Sequence, residues 1–157
     1  SNSFILNVGN DRPNITPVVC RMAGGESDFA ALDFLLDEVN EGKSLIRTMV
    51  FFNTRDVARR ACLYIKNRLL EDSSYRDQIF SMWVTKSTTA KRKIMQRFRS
   101  GRIVILFATE VAGMGMDLGD IRRVVQYMIP SKLTQWTQHA GRCGRDGQPA
   151  IAILLVE

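Results

Sequence analysis

The sequence predicts an α/β domain built on a mainly parallel sheet with helices on both faces. Three observations carry this. Several strand-length runs, such as Thr48 to Phe52 and Ile103 to Phe107, are apolar at consecutive positions, as in strands buried on both faces. Between them lie segments whose apolar residues recur at spacings of three and four, the period of an amphipathic helix. The joints are short, so strand and helix alternate along the chain instead of segregating. A chain of 157 residues suits one domain with its own core. We read residues 1–157 as that domain, with 1–14 as a linker leading in.

The elements follow in order. Val18-Val19-Cys20 reads as a short strand, broken by Ala23-Gly24-Gly25. Ser27 can cap a helix carrying Phe29, Leu32, Leu36 and Val39 on one face, and Gly42 stops it. After the strand Thr48 to Phe52, Asn53 and Thr54 can cap a helix with the stripe Val57, Ala61, Tyr64, Ile65 and Leu69. Glu71 to Ser74 is a polar loop. Ile79 to Val84 reads as a strand, and Ser87, Thr88 or Thr89 caps a helix burying Ala90, Ile94, Met95 and Phe98, ended by Ser100-Gly101. Ile103 to Phe107 and Val124 to Tyr127 are strands. Pro130-Ser131 opens a helix with Leu133, Trp136, Thr137 and Ala140 on one face, and Ala150 to Val156 closes with a strand.

The chain is 45% hydrophobic and 24% charged, ordinary proportions for a soluble globular domain. Its apolar runs fall far short of the roughly 20 residues that span a bilayer, so no membrane is expected. Three scattered cysteines, Cys20, Cys62 and Cys143, lack the spacing of a disulfide framework or a zinc site. An intracellular setting is expected, and no metal site. The net charge is +6, and its distribution says more than its sum. Between Asp77 and Glu110 no acidic residue occurs, while Lys86, Lys91, Arg92, Lys93, Arg97, Arg99 and Arg102 do. Such a one-signed segment suits a polyanion partner such as nucleic acid; a solvated helix face is the other reading.

Parallel sheets of this kind bind ligands just outside the carboxyl ends of their strands, so the informative residues should follow the apolar runs. The densest pattern is Gln138-His139-Ala140-Gly141-Arg142-Cys143-Gly144-Arg145-Asp146-Gly147. Glycines let backbone approach a ligand closely, and planar, permanently charged guanidinium groups suit phosphate oxygens. Together they make an anion clamp at the end of a helix. A second pattern, Ala108-Thr109-Glu110-Val111-Ala112-Gly113-Met114-Gly115-Met116-Asp117, directly follows the best strand. Its Gly-x-Gly allows a tight turn with exposed N–H groups, and Asp117 can accept from a sugar hydroxyl. In a third, Asn53-Thr54-Arg55 follows a strand at a helix start, where the N-terminus and Arg55 can hold a phosphate; simple capping by Asn53 is the alternative. Fourth, Pro13 holds Arg12 extended in Arg12-Pro13-Asn14.

From Arg12 to about Glu157 the chain resembles the C-terminal motor lobe of superfamily 2 helicases, in the RecQ form. Gln138 to Gly147 is similar to motif VI, Ala108 to Asp117 to motif V and Val50 to Arg55 to motif IV, and Arg12-Pro13-Asn14 is a family marker. The resemblance implies a RecA-like sheet, with Arg145 as the arginine finger, Arg142 as its companion on the phosphates or on an acidic group across the cleft, and Gln138 coupling nucleotide state to movement. Gly115 and Asp117 would lie near the ATP ribose. Thr109, Asn53, Arg55, Lys86 and Lys91 would contact nucleic acid. There are departures. Trp83-Val84-Thr85-Lys86 stands near where Tyr-His-Ala-Gly is usual, His139 where an acid is usual, and Cys143 where alanine is usual. His139 is expected on the helix surface, Cys143 in no catalytic dyad, and Trp83 and Trp136 in the core, not stacked on bases.

The phosphate-loop pattern Gly-x-x-x-x-Gly-Lys-Ser/Thr and an Asp-Glu-x-His or Asp-Glu-x-Asp stretch are absent from these 157 residues. ATP and Mg²⁺ would thus be bound mainly by a first RecA-like lobe elsewhere in the protein. The chain alone is expected to be inactive and to bind single strands weakly. The implied function is that of one lobe of an ATP-dependent 3′→5′ DNA helicase, with single-stranded or forked DNA and the N-terminal lobe as partners. DNA repair and recombination would be the processes served, in the nucleus if the source is a eukaryote. The alternatives are an RNA helicase or other superfamily 2 remodeller, an ATPase-dead nucleic-acid-binding module, and a scaffold for acidic proteins.

Overall fold

The computed structural model describes residues 12–82, 87–109 and 120–157. Six strands, β1 (Ile15–Arg21), β2 (Thr48–Phe52), β3 (Ile79–Ser81), β4 (Ile105–Ala108), β5 (Arg123–Tyr127) and β6 (Ala150–Val156), form one sheet in the order β1-β6-β5-β2-β4-β3. Every neighbouring pair is parallel. The helices are α1 (Asp37–Asn40), α2 (Arg55–Asn67), α3 (Thr88–Arg99) and α4 (Leu133–Ala140).

Strand alternation divides the apolar residues between two cores. Val50 and Phe52 of β2 join Ile105, Phe107, Val125 and Tyr127 beneath α2 and the Phe29–Leu36 segment, with Val57, Ala61 and Ile65 from α2. Met49 and Phe51 point the other way and join Leu106, Val124 and Leu154 with Met95 and Phe98 of α3 and Trp136 and Ala140 of α4. The sheet is therefore covered on both faces, as strands carrying apolar residues on both sides require.

Several local expectations are corrected. Phe29–Leu36 is a 3-10 helix capped by Asp28, not Ser27; the Asp28 carboxylate accepts from Ala30 N at 3.1 Å. Its buried residues Phe29, Leu32 and Leu35 recur every three residues, the 3-10 period. Of the two caps expected for α2, Thr54 takes the role, accepting from Val57 N at 3.3 Å. Helix α4 begins at Leu133 without a side-chain cap, two residues past Ser131. Leu133 is 65% exposed, because this first turn stands above the carboxyl edge of the sheet. Ser87 caps α3 as expected, and Gly42 (φ 75°) and Gly101 (φ 84°) end α1 and α3 in the left-handed conformation.

The register determines what meets at the carboxyl edge. Phe51 lies opposite both Ala108 and Gln126, and Phe52 opposite Tyr127. The three central strands β4, β2 and β5 thus end side by side, and the residues that follow them share one rim.

A polar cleft at the carboxyl rim and an arginine loop at the strand starts

Asn53, Arg55, Thr109, Ile129, Ser131, Gln135 and His139 line a cleft of about 510 Å³ on this rim. Asn53 follows β2, Thr109 follows β4 and Ile129 follows β5; Arg55 opens α2, and Gln135 and His139 stand on α4. Three residues expected to contact nucleic acid, Asn53, Arg55 and Thr109, therefore meet in one place. Lys91 lies elsewhere, exposed on α3, and Lys86 falls outside the described residues. At the mouth, the N-terminus of the 13-residue helix α2 offers backbone N–H groups to an anion.

A chain of hydrogen bonds ties the cleft to α4. Asn53 Nδ2 donates to Ile129 O at 2.9 Å. Gln126 Nε2 donates to Asn53 Oδ1 at 3.4 Å and to Met128 O at 3.2 Å, leaving Gln126 Oε1 to accept from His139 Nδ1 at 2.7 Å. Met128 takes φ 71°, a strained backbone for a side-chain-bearing residue. The His139 ring stacks on Phe51 with centroids 3.7 Å apart and planes 9° from parallel. This corrects the expectation of a surface histidine: His139 is 4% exposed. Burial, and secondarily the charge of Arg142, lowers its pKa to about 4, so the ring is neutral at physiological pH. Its signal in the sequence was indirect: Trp136, His139, Ala140 and Cys143 share helical spacing, and all four are buried.

The arginine segment begins where α4 ends. Gly141 is the C-cap, and the chain tightens into three-residue turns, with Arg142 N donating to His139 O at 3.0 Å and Cys143 N to Ala140 O at 3.4 Å. Gly144 (φ 62°) and Gly147 (φ 81°) reverse it. At Gly144 a Cβ would stand 2.6 Å from Asn14 Nδ2, so both conformation and space demand glycine. Arg142 is half-buried, and Arg145 and Gln138 are exposed; Arg145 Nε lies 3.5 Å from Gly141 O. Arg122 anchors the loop from the neighbouring strand start, bonding Asp146 Oδ1 and Pro149 O. That hydrogen bond lowers the Asp146 pKa, keeping the carboxylate ionised and turned toward Arg122. Cys143 is inert: Sγ donates to Ala140 O at 3.1 Å, and burial pushes its pKa up to about 11.

Sequence reasoning missed a brace under this loop. Arg12 donates from Nη1 to Gly141 O at 3.2 Å and from Nη2 to Cys143 O at 2.9 Å. Asn14 Nδ2 donates to Gly144 O at 2.7 Å and Gln148 O at 2.9 Å. The signal was the Arg12-Pro13-Asn14 pattern, read only as a family marker. Gly115 and Asp117 fall outside the described residues. Among the described residues no group of three His, Cys, Asp or Glu side chains could hold a metal. The residues present fit one side of a nucleoside triphosphate: two guanidinium groups for phosphate oxygens, without a carboxylate cluster for Mg²⁺.

Comparison with known proteins agrees with this geometry. Domain 2 of the DEAD-box helicase Mss116p, solved bound to an RNA duplex, superposes with a TM-score of 0.71 at 23% identity, over 90% of this chain and 54% of that one. The DUF1998 helicase MrfA, solved bound to DNA, gives a TM-score of 0.73 at 19% identity, over 91% of this chain and 20% of that one. These likenesses establish the RecA-like fold of a helicase C-terminal lobe. Among sequences, the pre-mRNA-splicing ATP-dependent RNA helicase PRP28 of Candida glabrata is 30% identical over an alignment of 159 residues that covers 99% of this chain and 25% of that protein. The ATP-dependent DNA helicase hus2/rqh1 of Schizosaccharomyces pombe is 32% identical over 99 residues, 63% of this chain and 7% of that protein. The chain spans about a quarter of the length of the first of these relatives. Residues 30–147 match the family described as Helicase conserved C-terminal domain, and the chain belongs to that family.

Proposed function

We propose that this chain is the second motor lobe of an ATP-dependent helicase that moves along single-stranded RNA. The observation that carries the reading is that helix α4 joins a polar cleft lined by Asn53, Arg55 and Thr109 at the carboxyl rim to a braced loop that presents Arg142 and Arg145 beside the starts of β1, β5 and β6. ATP, bound mainly by the first lobe with Mg²⁺, supplies the phosphoryl transfer that drives movement. This lobe's Arg145 stabilises charge on the phosphates, with Arg142 beside it and Gln138 on the same helix end; the ribose role of Gly115 and Asp117, outside the described residues, rests on the motif resemblance alone. Arg55 and the α2 N-terminus hold one backbone phosphate, and Thr109 donates to another. Neutral His139 and Gln126 link cleft to helix α4, so occupancy of the cleft reaches the arginine loop through hydrogen bonds. The RNA helicases among the relatives support the RNA track.

A second reading, a 3′→5′ DNA helicase of RecQ type, is favoured by Gly113-Met114-Gly115, Arg145-Asp146-Gly147 and Arg12-Pro13-Asn14, and by the likeness to hus2/rqh1. Forked DNA, repair and a nuclear location belong to that reading. ATP hydrolysis by the intact protein with single-stranded RNA, single-stranded DNA or neither separates the two. Stimulation by RNA alone supports the first reading, and stimulation by DNA alone the second. Absence of stimulation by either overturns both.

A further inference from the structure

Arg12 and Asn14 lie some 130 positions from the loop they touch, and their contacts are arranged around its two arginines. The Arg12 guanidinium bonds the carbonyls of Gly141 and Cys143, the residues on either side of Arg142. The Asn14 carboxamide bonds the carbonyls of Gly144 and Gln148, the two ends of the turn that carries Arg145. Asn14 O also accepts from Ala150 N at 2.9 Å, so this short segment is fixed to the first residue of β6. Carbonyls at a helix C-terminus lack partners within the helix, and water could serve those at the surface. A half-buried guanidinium and carboxamide instead hold four carbonyls of one loop in one geometry. Gly144 has no room for a Cβ because Asn14 Nδ2 stands against it, so the fit is tight from both sides.

We propose that Arg12 and Asn14 are positioning residues for the arginine loop, holding Arg142 and Arg145 in the geometry that phosphoryl transfer requires. The proposal rests on the reading of Arg145 as a phosphate-contacting residue. Both residues act through the loop backbone, whose carbonyls they bond. Misplacement of a catalytic group by about 1 Å can cost about a hundredfold in rate, so loosening the brace lowers turnover without weakening uniform binding.

The test uses the intact protein carrying Arg12→Met, Arg12→Lys, Asn14→Ala or Arg145→Ala. Nucleic-acid-stimulated ATP hydrolysis gives kcat and KM, and hydrogen exchange is followed on peptides spanning residues 141–148. The brace predicts that Arg12→Met and Asn14→Ala lower kcat about tenfold to a hundredfold with KM for ATP within about threefold of wild type. Exchange rises in 141–148 and stays unchanged in β2, β4 and β5. Arg12→Lys, which keeps the charge but cannot span both carbonyls, falls between, and it decides the matter if Arg12→Met does not fold. Unchanged exchange in the loop overturns the brace. So does increased exchange with kcat unchanged while Arg145→Ala is inactive. If Arg145→Ala itself retains full activity, the reading of the arginine loop fails, and the proposal fails with it.

Discussion

Acidification should destabilise this protein through His139. The ring stacks on Phe51, donates a hydrogen bond from Nδ1 to Gln126 Oε1 and is 4% exposed. Charging it there means placing an imidazolium away from water beside Arg142, which lowers its pKa from 6.5 to about 4. The folded-state pKa is depressed, so between these values the unfolded chain binds a proton that the folded chain refuses. The penalty is absent above pH 6.5, grows as pH falls, and is complete below about 4. At about 1.4 kcal/mol per pKa unit, the loss is about 2 kcal/mol at pH 5 and about 3 kcal/mol when complete. Urea denaturation at pH steps from 7.5 to 4.5, with His139→Gln beside wild type, isolates the contribution. The variant loses the ring stack and starts lower, but its stability should fall less steeply across that window. Parallel curves for the two proteins, or a His139 resonance titrating near 6.5, would refute the reasoning.

Two further outcomes are expected. Gly144→Ala should destabilise by about 1–3 kcal/mol, because φ 62° strains an L side chain and the new Cβ meets Asn14. Gly147→Ala, with φ 81° but open space around it, should cost less in the same thermal melts; equal losses would show that the Asn14 contact does not matter. Arg55→Ala should weaken single-strand binding alike across sequences and reduce the slope of log affinity against log salt by about one, and an unchanged slope in a salt titration would remove Arg55 from the phosphate contacts.

The alternation of strand and helix was legible because each strand is apolar on consecutive positions and each long helix has its own cap. Thr48–Phe52 and Ala150–Val156 follow from their continuous apolar runs, and the stripe of α2 from its helical period. Local departures arose where periods compete. Phe29-Ala30-Ala31-Leu32 suits either three or 3.6 residues per turn, and packing selected the former. The convergence of Asn53, Arg55 and Thr109 could be anticipated from their positions after strands, since the parallel register brings β2 and β4 to one edge. The burial of His139 could not be read so directly: its spacing with Trp136, Ala140 and Cys143 hints at it, but Phe51 and Gln126 decide which face of a two-turn helix is covered. Nor could the brace: nothing local in Arg12-Pro13-Asn14 says that its partners lie at the far end of the chain, where β6 pairs with β1. The preference for one nucleic acid over another is held in small details, and there the relatives shifted the reading from DNA toward RNA.

The central claim is that Arg145 completes an active site whose other side lies in a first lobe. It is tested most directly by single-turnover ATP hydrolysis in the intact protein and its Arg145→Ala variant, each saturated with ATP and single strand. The account predicts that the variant still binds both and folds as wild type, while its rate falls about a hundredfold or more, as arginine fingers are worth about 10³–10⁵ in related transfers. A variant that hydrolyses ATP at the wild-type rate would contradict it.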